Sequence, residues 1–210
     1  MSAEPVAEAA VLAREGRLIV FPTDTLYGLA TRPDDATATA RLFDAKRRPP
    51  ELTLAVLCSS TAEARTVATF DARADRLAAW SWPGALTIVL ARTERSRSWE
   101  LGGDPDTIGV RVPAHPLALA VLAASGPLAV TSANRSGEPP ARTCAELEAA
   151  FGDLVDLFLC DDEPLEGLAS TVVDLTHGDA VILRVGDVSP EVVARLITGE
   201  DPLLDSGPPS

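Results

Sequence analysis

The stretch Leu18 to Ala30, LIVFPTDTLYGLA, constrains this chain more than any other. Leu18-Ile19-Val20-Phe21 is a short apolar β run, and Pro22, which has no N–H to offer a ladder, ends it and turns the chain into a polar corner. Thr23, Asp24, Thr25 and Tyr27 then crowd the end of a buried strand. Open α/β sheets carry ligands at such ends, because hydroxyls and free backbone N–H groups stand there on a rigid support. The same residues also close the local hydrogen bonds of an ordinary β-to-turn corner. Both readings stand on this stretch alone, and Gly28 fits either.

Upstream, Val6, Ala9, Ala10, Leu12 and Ala13 fall at helical spacing over residues 3 to 15, with Ser2 as a cap and Gly16 as a left-handed terminus. Downstream, Asp34 or Asp35 caps a helix from Ala36 to Ala45 whose last turn holds Lys46, Arg47 and Arg48. Three cations exceed what a helix dipole asks for, and Pro49-Pro50 stops the helix and stiffens the loop behind them. Leu52 to Cys58 reads as a buried strand, followed by amphipathic helices over Thr61 to Thr69 and Asp71 to Trp80. The Trp82-Pro83-Gly84 turn and the apolar strand Ala85 to Ala91 come next. Arg92 to Pro105, polar and carrying Gly102-Gly103, is the stretch expected to be the mobile loop.

Thr107 to Pro113 is again a strand closed by proline. Val110 and Val112 share one face, which leaves Thr107, Gly109 and Arg111 on the other, a hydroxyl and a guanidinium suited to an anion or a salt bridge. A helix from His115 to Ser125 and a strand from Pro127 to Thr131 lead into Ser132-Ala133-Asn134-Arg135-Ser136-Gly137. Small polar side chains beside glycine there leave the backbone approachable to phosphate, and equally make a plain turn. Thr143 to Phe151 is a capped helix and Val155 to Cys160 a strand. Asp161-Asp162-Glu163 is either a set of magnesium-binding carboxylates or a solvated acidic loop. Ser170 to Asp174 and Val181 to Arg184 read as a hairpin with Ser170 and Arg184 near opposite ends. Ser189 caps a last helix, Pro190 to Ile197, and residues 199–210 read as a disordered tail after one domain over residues 1–198.

Charge narrows the partners. A formal net charge of −13 excludes RNA or DNA binding by general phosphate attraction. Lys46 is the one lysine among 18 basic residues, and an ammonium differs chemically from the guanidinium the chain otherwise prefers. No uncharged apolar stretch is long enough to span a bilayer, and the acidic start MSAEPVAEAA lacks the features of a signal peptide, so a soluble cytoplasmic protein is expected. Cys58, Cys144 and Cys160 are odd in number and show no CxxC spacing, so neither a disulfide framework nor a zinc site is expected.

Taken in order, FPTDTLYGLA, KRR, WPGALTIVL, TIGVRVP, PLAVTSANRSG, STVVD and ILRVGDVS resemble the YrdC/Sua5 family of threonylcarbamoyl-AMP synthases, from about Leu18 to Ser189. The resemblance implies an α/β fold, a YrdC-like twisted mixed β-sheet flanked by helices with a large concave ligand cavity. It implies the short form, without the C-terminal domain of longer members. The implied reaction joins L-threonine, bicarbonate and ATP into L-threonylcarbamoyl-adenylate and pyrophosphate, with Mg2+ accompanying the nucleotide. The product would pass to a tRNA threonylcarbamoyl transferase that modifies A37, with no stable binding of tRNA by this chain.

Carried over position by position, Lys46 and Arg48 are the implied catalytic pair. Thr25, Arg111, Val130 and Ser170 would hold threonine, and Arg48, Thr107, Ser132, Asn134, Pro140 and Arg184 the nucleotide. Three positions depart from the family pattern: Leu52 and Leu57 stand where Asn and His are usual, and Ala169 where Glu is usual. Besides the synthase, a non-catalytic paralogue that binds nucleotide or RNA remains open, as does a carbamoyl-transfer domain for another amine.

Overall fold

A first helix, α1 (Ala3–Arg14), delivers the chain through the left-handed Gly16, φ 75°, into β1 (Ile19–Phe21). The computed structural model describes residues 3–49, 51–161, 164–165 and 167–200. The proposed Ser2 cap, Pro50, Asp162, Glu163 and the tail from residue 201 lie outside the described residues. A strand missing from the sequence reading, β2 (Gly28–Thr31), follows the polar corner. Its four residues are too few to show an alternation, and it is made by its neighbours, pairing antiparallel with β1 through Phe21 and Gly28 and with a later strand through Gly28 and Ser132. A Cβ at Gly28 would lie 2.8 Å from Val130 Cγ1, so glycine is what lets the corner leave the sheet there.

The remaining elements follow the sequence expectations, with bounds that differ at the ends. They are α2 (Ala36–Lys46), β3 (Ala55–Leu57), α3 (Thr61–Val67), α4 (Ala72–Ser81), β4 (Leu86–Ala91), β5 (Thr107–Arg111), α5 (Pro116–Ser125) and β6 (Leu128–Ser132). After these come α6 (Cys144–Phe151), a single 3-10 turn at Gly152–Leu154, β7 (Leu157–Phe158), β8 (Thr171–Asp174), β9 (Val181–Arg184) and α7 (Pro190–Thr198). Side chains cap the helices where the sequence offers them. Asp35 accepts from the amides of Thr37 and Ala38, and Thr143 with Glu146 forms a reciprocal capping box at α6. Asp71 caps α4, and Ser189, followed by Pro190, caps α7.

The strands form one mixed sheet in the order β7-β1-β2-β6-β3-β5-β4-β8-β9. Its two faces are treated differently. One carries Leu29, Val56, Ile88, Ile108, Val110 and Val173, sealed by Leu42 of α2, Ala64 and Val67 of α3, Leu77 of α4 and Val193 and Leu196 of α7. Each such side chain contributes roughly 1.5–3 kcal/mol by leaving water. The opposite face is covered only at one end, where α1 and α5 pack Ala9, Ala13, Leu117, Val121 and Leu122 over Ile19, Phe21, Ala30 and Leu128. Among the described residues no helix covers the rest of that face, and Thr87, Thr107, Arg111 and Ser132 point there.

Three expectations are corrected here. The 92–105 segment, expected to be loose, is tied to the fold by its own side chains. Arg92 donates to the carbonyls of Ser96, Trp99 and Thr107, the Ser96 hydroxyl donates to Val67, and Leu101 is buried with its carbonyl taking the Leu54 amide. Its polar residues satisfy the loop's own backbone, and a Cβ on Gly103, φ 62°, would run into Thr53. Second, Cys144 and Cys160 form a disulfide. The 16-residue separation hid the pairing, which arises because α6 folds back beside β7. Third, Ser170 and Arg184 are neighbours rather than at opposite ends: antiparallel pairing places Val172 against Arg184, and the guanidinium donates to the Ser170 carbonyl and hydroxyl, each at 2.9 Å.

Candidate active site

The uncovered sheet face is the floor of a cavity of about 790 Å3, within the size range of small-molecule sites. Alternate residues of β4, β5, β6 and β8 line it, among them Thr87, Val89, Thr107, Gly109, Arg111, Val130, Ser132 and Val172. The 23–28 corner, the 51–54 segment and the 134–140 loop make the walls.

At one wall the corner grips an arginine. Arg111, 5% exposed, donates through Nε to the Gly84 carbonyl at 2.9 Å, through one terminal nitrogen to Thr25 Oγ1 at 2.8 Å and through the other to Asp24 Oδ1 at 2.7 Å. Burial pulls its affinity for the proton down and Asp24 pulls it back up. A guanidinium has five N–H groups. One on each terminal nitrogen therefore has no protein partner among the described residues, which suits a carboxylate entering from the cavity. Thr23 fixes Thr25 in turn: its Oγ1 lies 3.0 Å from Thr25 Oγ1 and accepts from the Thr25 and Leu26 amides.

Two further cations line the same cavity. Arg48 donates to the carbonyls of Leu52 and Thr53, and Arg184 to Ser170. Burial pushes both below the usual arginine range, and for Arg48 the repulsion of Arg184 adds to it. Neither has a carboxylate within salt-bridge distance among the described residues, so their charge is directed at whatever fills the cavity.

Lys46 is placed differently. It is 2% exposed, does not line the cavity, and sits beneath the 132–134 turn. Its ammonium donates to the Ser132 carbonyl (2.6 Å) and Oγ (3.1 Å) and to the Asn134 carbonyl (3.1 Å) and Oδ1 (2.8 Å). All of these acceptors are neutral. Burial, with the repulsion of Arg48, holds Lys46 down at about 7 from its ordinary 10.5. The only lysine is thus a buried charge that shapes the loop from behind.

The structure brings together at one cavity Thr25, Arg48, Thr107, Arg111, Val130, Ser132, Asn134, Pro140, Ser170 and Arg184, with Lys46 directly behind Ser132 and Asn134. The departures Leu52, Leu57 and Ala169 line the same space. Sequence reasoning missed Thr87, whose Oγ1 lies 2.9 Å from Ser170 Oγ, and the pairing of Asp24 with Arg111. The alternation that put Arg111 on the polar face of β5 puts Thr87 on that face of β4, and it was the available signal for Thr87. Asp161, from the acidic run, is 3.1 Å from His115 Nε2 and gives its amide to the Tyr27 hydroxyl, so it braces the corner.

Because Asp24 also accepts from the Ala114 amide at 2.9 Å, Asp24→Ala strands both a buried guanidinium and a backbone donor. The variant is expected to lose about 3 kcal/mol, or roughly 6–12 °C in thermal midpoint. A melting curve superimposable on that of the unaltered protein would show that the pair carries no stability.

Comparison with known proteins agrees with this geometry. The Sua5/YciO/YrdC family model, described as telomere recombination, matches residues 11–186. The chain is 38% identical over 184 residues to a threonylcarbamoyl-AMP synthase of Chromohalobacter salexigens, covering 86% of this chain and 97% of that protein. It superposes on the crystal structure of Pyrococcus abyssi Sua5 complexed with L-threonine with a TM-score of 0.85 at 33% identity, covering 94% of this chain and 58% of that one. On the crystal structure of Escherichia coli YciO the TM-score is 0.82 at 30% identity, covering 90% and 92%. Matched by the family model over most of its length and sharing its fold with these proteins, the chain belongs to the Sua5/YciO/YrdC family.

Proposed function

We propose that this protein is an L-threonylcarbamoyladenylate synthase, a nucleotidyltransferase joining L-threonine, bicarbonate and ATP in the cavity with release of pyrophosphate. The observation that carries the reading is the arrangement of cations. One arginine, charge-balanced by Asp24, faces the corner, and two without carboxylate partners among the described residues line the same cavity. That arrangement fits a carboxylate held by the first and a polyphosphate held by the other two. Named synthase relatives favour turnover over a non-catalytic nucleotide- or RNA-binding role.

In this reading Arg111 and Thr25 hold the threonine carboxylate, with Val130 and Ser170 beside it. The amine nitrogen attacks the bicarbonate carbon, water leaves, and a carbamate oxygen attacks the α-phosphorus as pyrophosphate departs. Arg48 and Arg184 offset charge developing on the phosphates, and Thr107, Ser132, Asn134 and Pro140 shape the nucleotide wall. Carbamate is labile in water, so holding the reacting groups together in one site supplies much of the advantage. Among the described residues no group of three or more His, Cys, Asp or Glu is placed to hold a metal ion. In this reading magnesium accompanies ATP, where it would neutralise phosphate charge.

The reading puts the protein in the cytoplasm beside a transferase that consumes the product on tRNA. Among the described residues no helix is long and apolar enough to cross a membrane.

Pyrophosphate release by the purified protein with MgATP should depend on both L-threonine and bicarbonate. Release independent of either, or none at all, overturns the reading. A pH signature accompanies it. With Lys46 near 7 in the free protein, a bound triphosphate favours its ammonium form, so binding above pH 7 takes up a proton and affinity falls as pH rises from there. Calorimetric titrations at pH 8 in buffers of different ionisation enthalpy should show that uptake in the unaltered protein and not in Lys46→Met.

A further inference from the structure

The Cys144–Cys160 disulfide lies where the nucleotide wall is fastened to the body of the fold. The 133–143 segment runs from β6 to α6 and carries Asn134 and Pro140 into the cavity. Its first half is held by Lys46, through Ser132 and Asn134 and through the Ser136 amide, which donates to the Lys46 carbonyl. Its second half has fewer ties across the fold. The Arg142 carbonyl accepts from Leu165, while the Glu146 contacts to the Arg142 and Thr143 amides are local to the helix cap. The covalent tie is Cys144, the first residue of α6, to Cys160. Cys160 directly precedes Asp161, whose amide donates to the hydroxyl of Tyr27 on the facing wall. The bond thus links the loop on one wall of the cavity to the corner on another.

Both cysteines are half-buried and within reach of a small reductant, whereas Cys58 is fully buried, with its thiol pushed up by burial. We infer that Cys144 and Cys160 form a reversible thiol–disulfide site that tunes nucleotide affinity by tying down the loop wall. Reduction proceeds by attack of a dithiol's thiolate on one sulfur. The other cysteine leaves as a thiolate and is protonated, and the reductant's second thiol then releases the first cysteine. Two electrons and two protons reach the protein, and the reductant leaves as its own disulfide. With the bond broken, the 139–143 stretch must be ordered by the ligand instead. That costs about fivefold in affinity, the order of fixing one further backbone residue.

The inference rests on the reading that the cavity takes ATP, and one set of titrations separates the two. Thiol counting in denaturant should give one free thiol for the oxidised chain and three for the reduced chain. MgATP should bind the oxidised protein about fivefold or more tighter than the dithiothreitol-reduced protein. Cys144→Ser and Cys160→Ser should each bind like the reduced form with or without reductant. Equal MgATP affinity in the two states overturns the inference and leaves the ATP reading intact, as does a count of three thiols after oxidation. Absence of MgATP binding in both states overturns both.

Discussion

Lys46→Ala is expected to lower threonine-dependent pyrophosphate release by about 10²–10³-fold, the loss that follows removal of a preorganised charge or donor from a reacting site. The structure gives this a route other than direct contact with phosphate. The ammonium satisfies the Ser132 and Asn134 carbonyls and side chains at once, and it has no carboxylate among these partners. Removing it takes a positive charge from beneath the turn and withdraws the donor to the Asn134 carbonyl, at roughly 1–3 kcal/mol, while the Ser132 carbonyl and Asn134 Oδ1 keep the Asn134 amide and the Ser132 hydroxyl as donors. The alanine variant should therefore melt lower as well as turn over slowly. Lys46→Met keeps the stem that α2 packs and separates the effects. It should be folded by circular dichroism at room temperature and still lack turnover. A folded Lys46→Met protein with the rate of the unaltered protein would remove Lys46 from the site.

The second large effect belongs to Arg111. Arg111→Ala should raise the KM for L-threonine by about 10²–10³-fold while MgATP binding changes little, because a buried charge-assisted pair is worth roughly 2–5 kcal/mol when one partner is truncated. The same change strands Asp24, whose carboxylate is mostly buried beside the guanidinium, and so lowers stability. A double variant, Arg111→Ala with Asp24→Asn, discriminates cause from side effect. Stability should return toward normal because the unpaired charge is gone, and threonine affinity should stay lost because the donor is gone. If threonine affinity returned with stability, Arg111 would be a structural residue and the carboxylate would lie elsewhere.

The parts of this account legible in the sequence are those set by short-range rules. Pro22 and Pro113 closing apolar runs, Asp35, Thr143 and Ser189 capping helices, and the alternation in Thr107 to Val112 all hold in the structure. The residues that gather at the cavity were legible as an ordered set of motifs, and folding adds what order alone does not show. Lys46 and Arg48, two positions apart, end up behind and within the cavity respectively, because Arg47 takes a left-handed turn, φ 53°, as α2 ends. Contacts between distant segments were not legible. Asp24 with Arg111, Ser170 with Arg184 and Cys144 with Cys160 each depend on which strands become neighbours. The same holds for the 92–105 loop: its polar composition resembles that of a solvated loop, and only the fold shows Arg92 and Ser96 turned inward.

The most direct test of the central claim is the product itself. Purified protein should be incubated with MgATP, L-threonine and 13C-bicarbonate, quenched cold, and examined at once by mass spectrometry. The account predicts a threonylcarbamoyl-adenylate carrying the label, formed in proportion to pyrophosphate and lost in Lys46→Met. Pyrophosphate formed without a labelled adenylate, or a labelled adenylate built on an amine other than threonine, would contradict it.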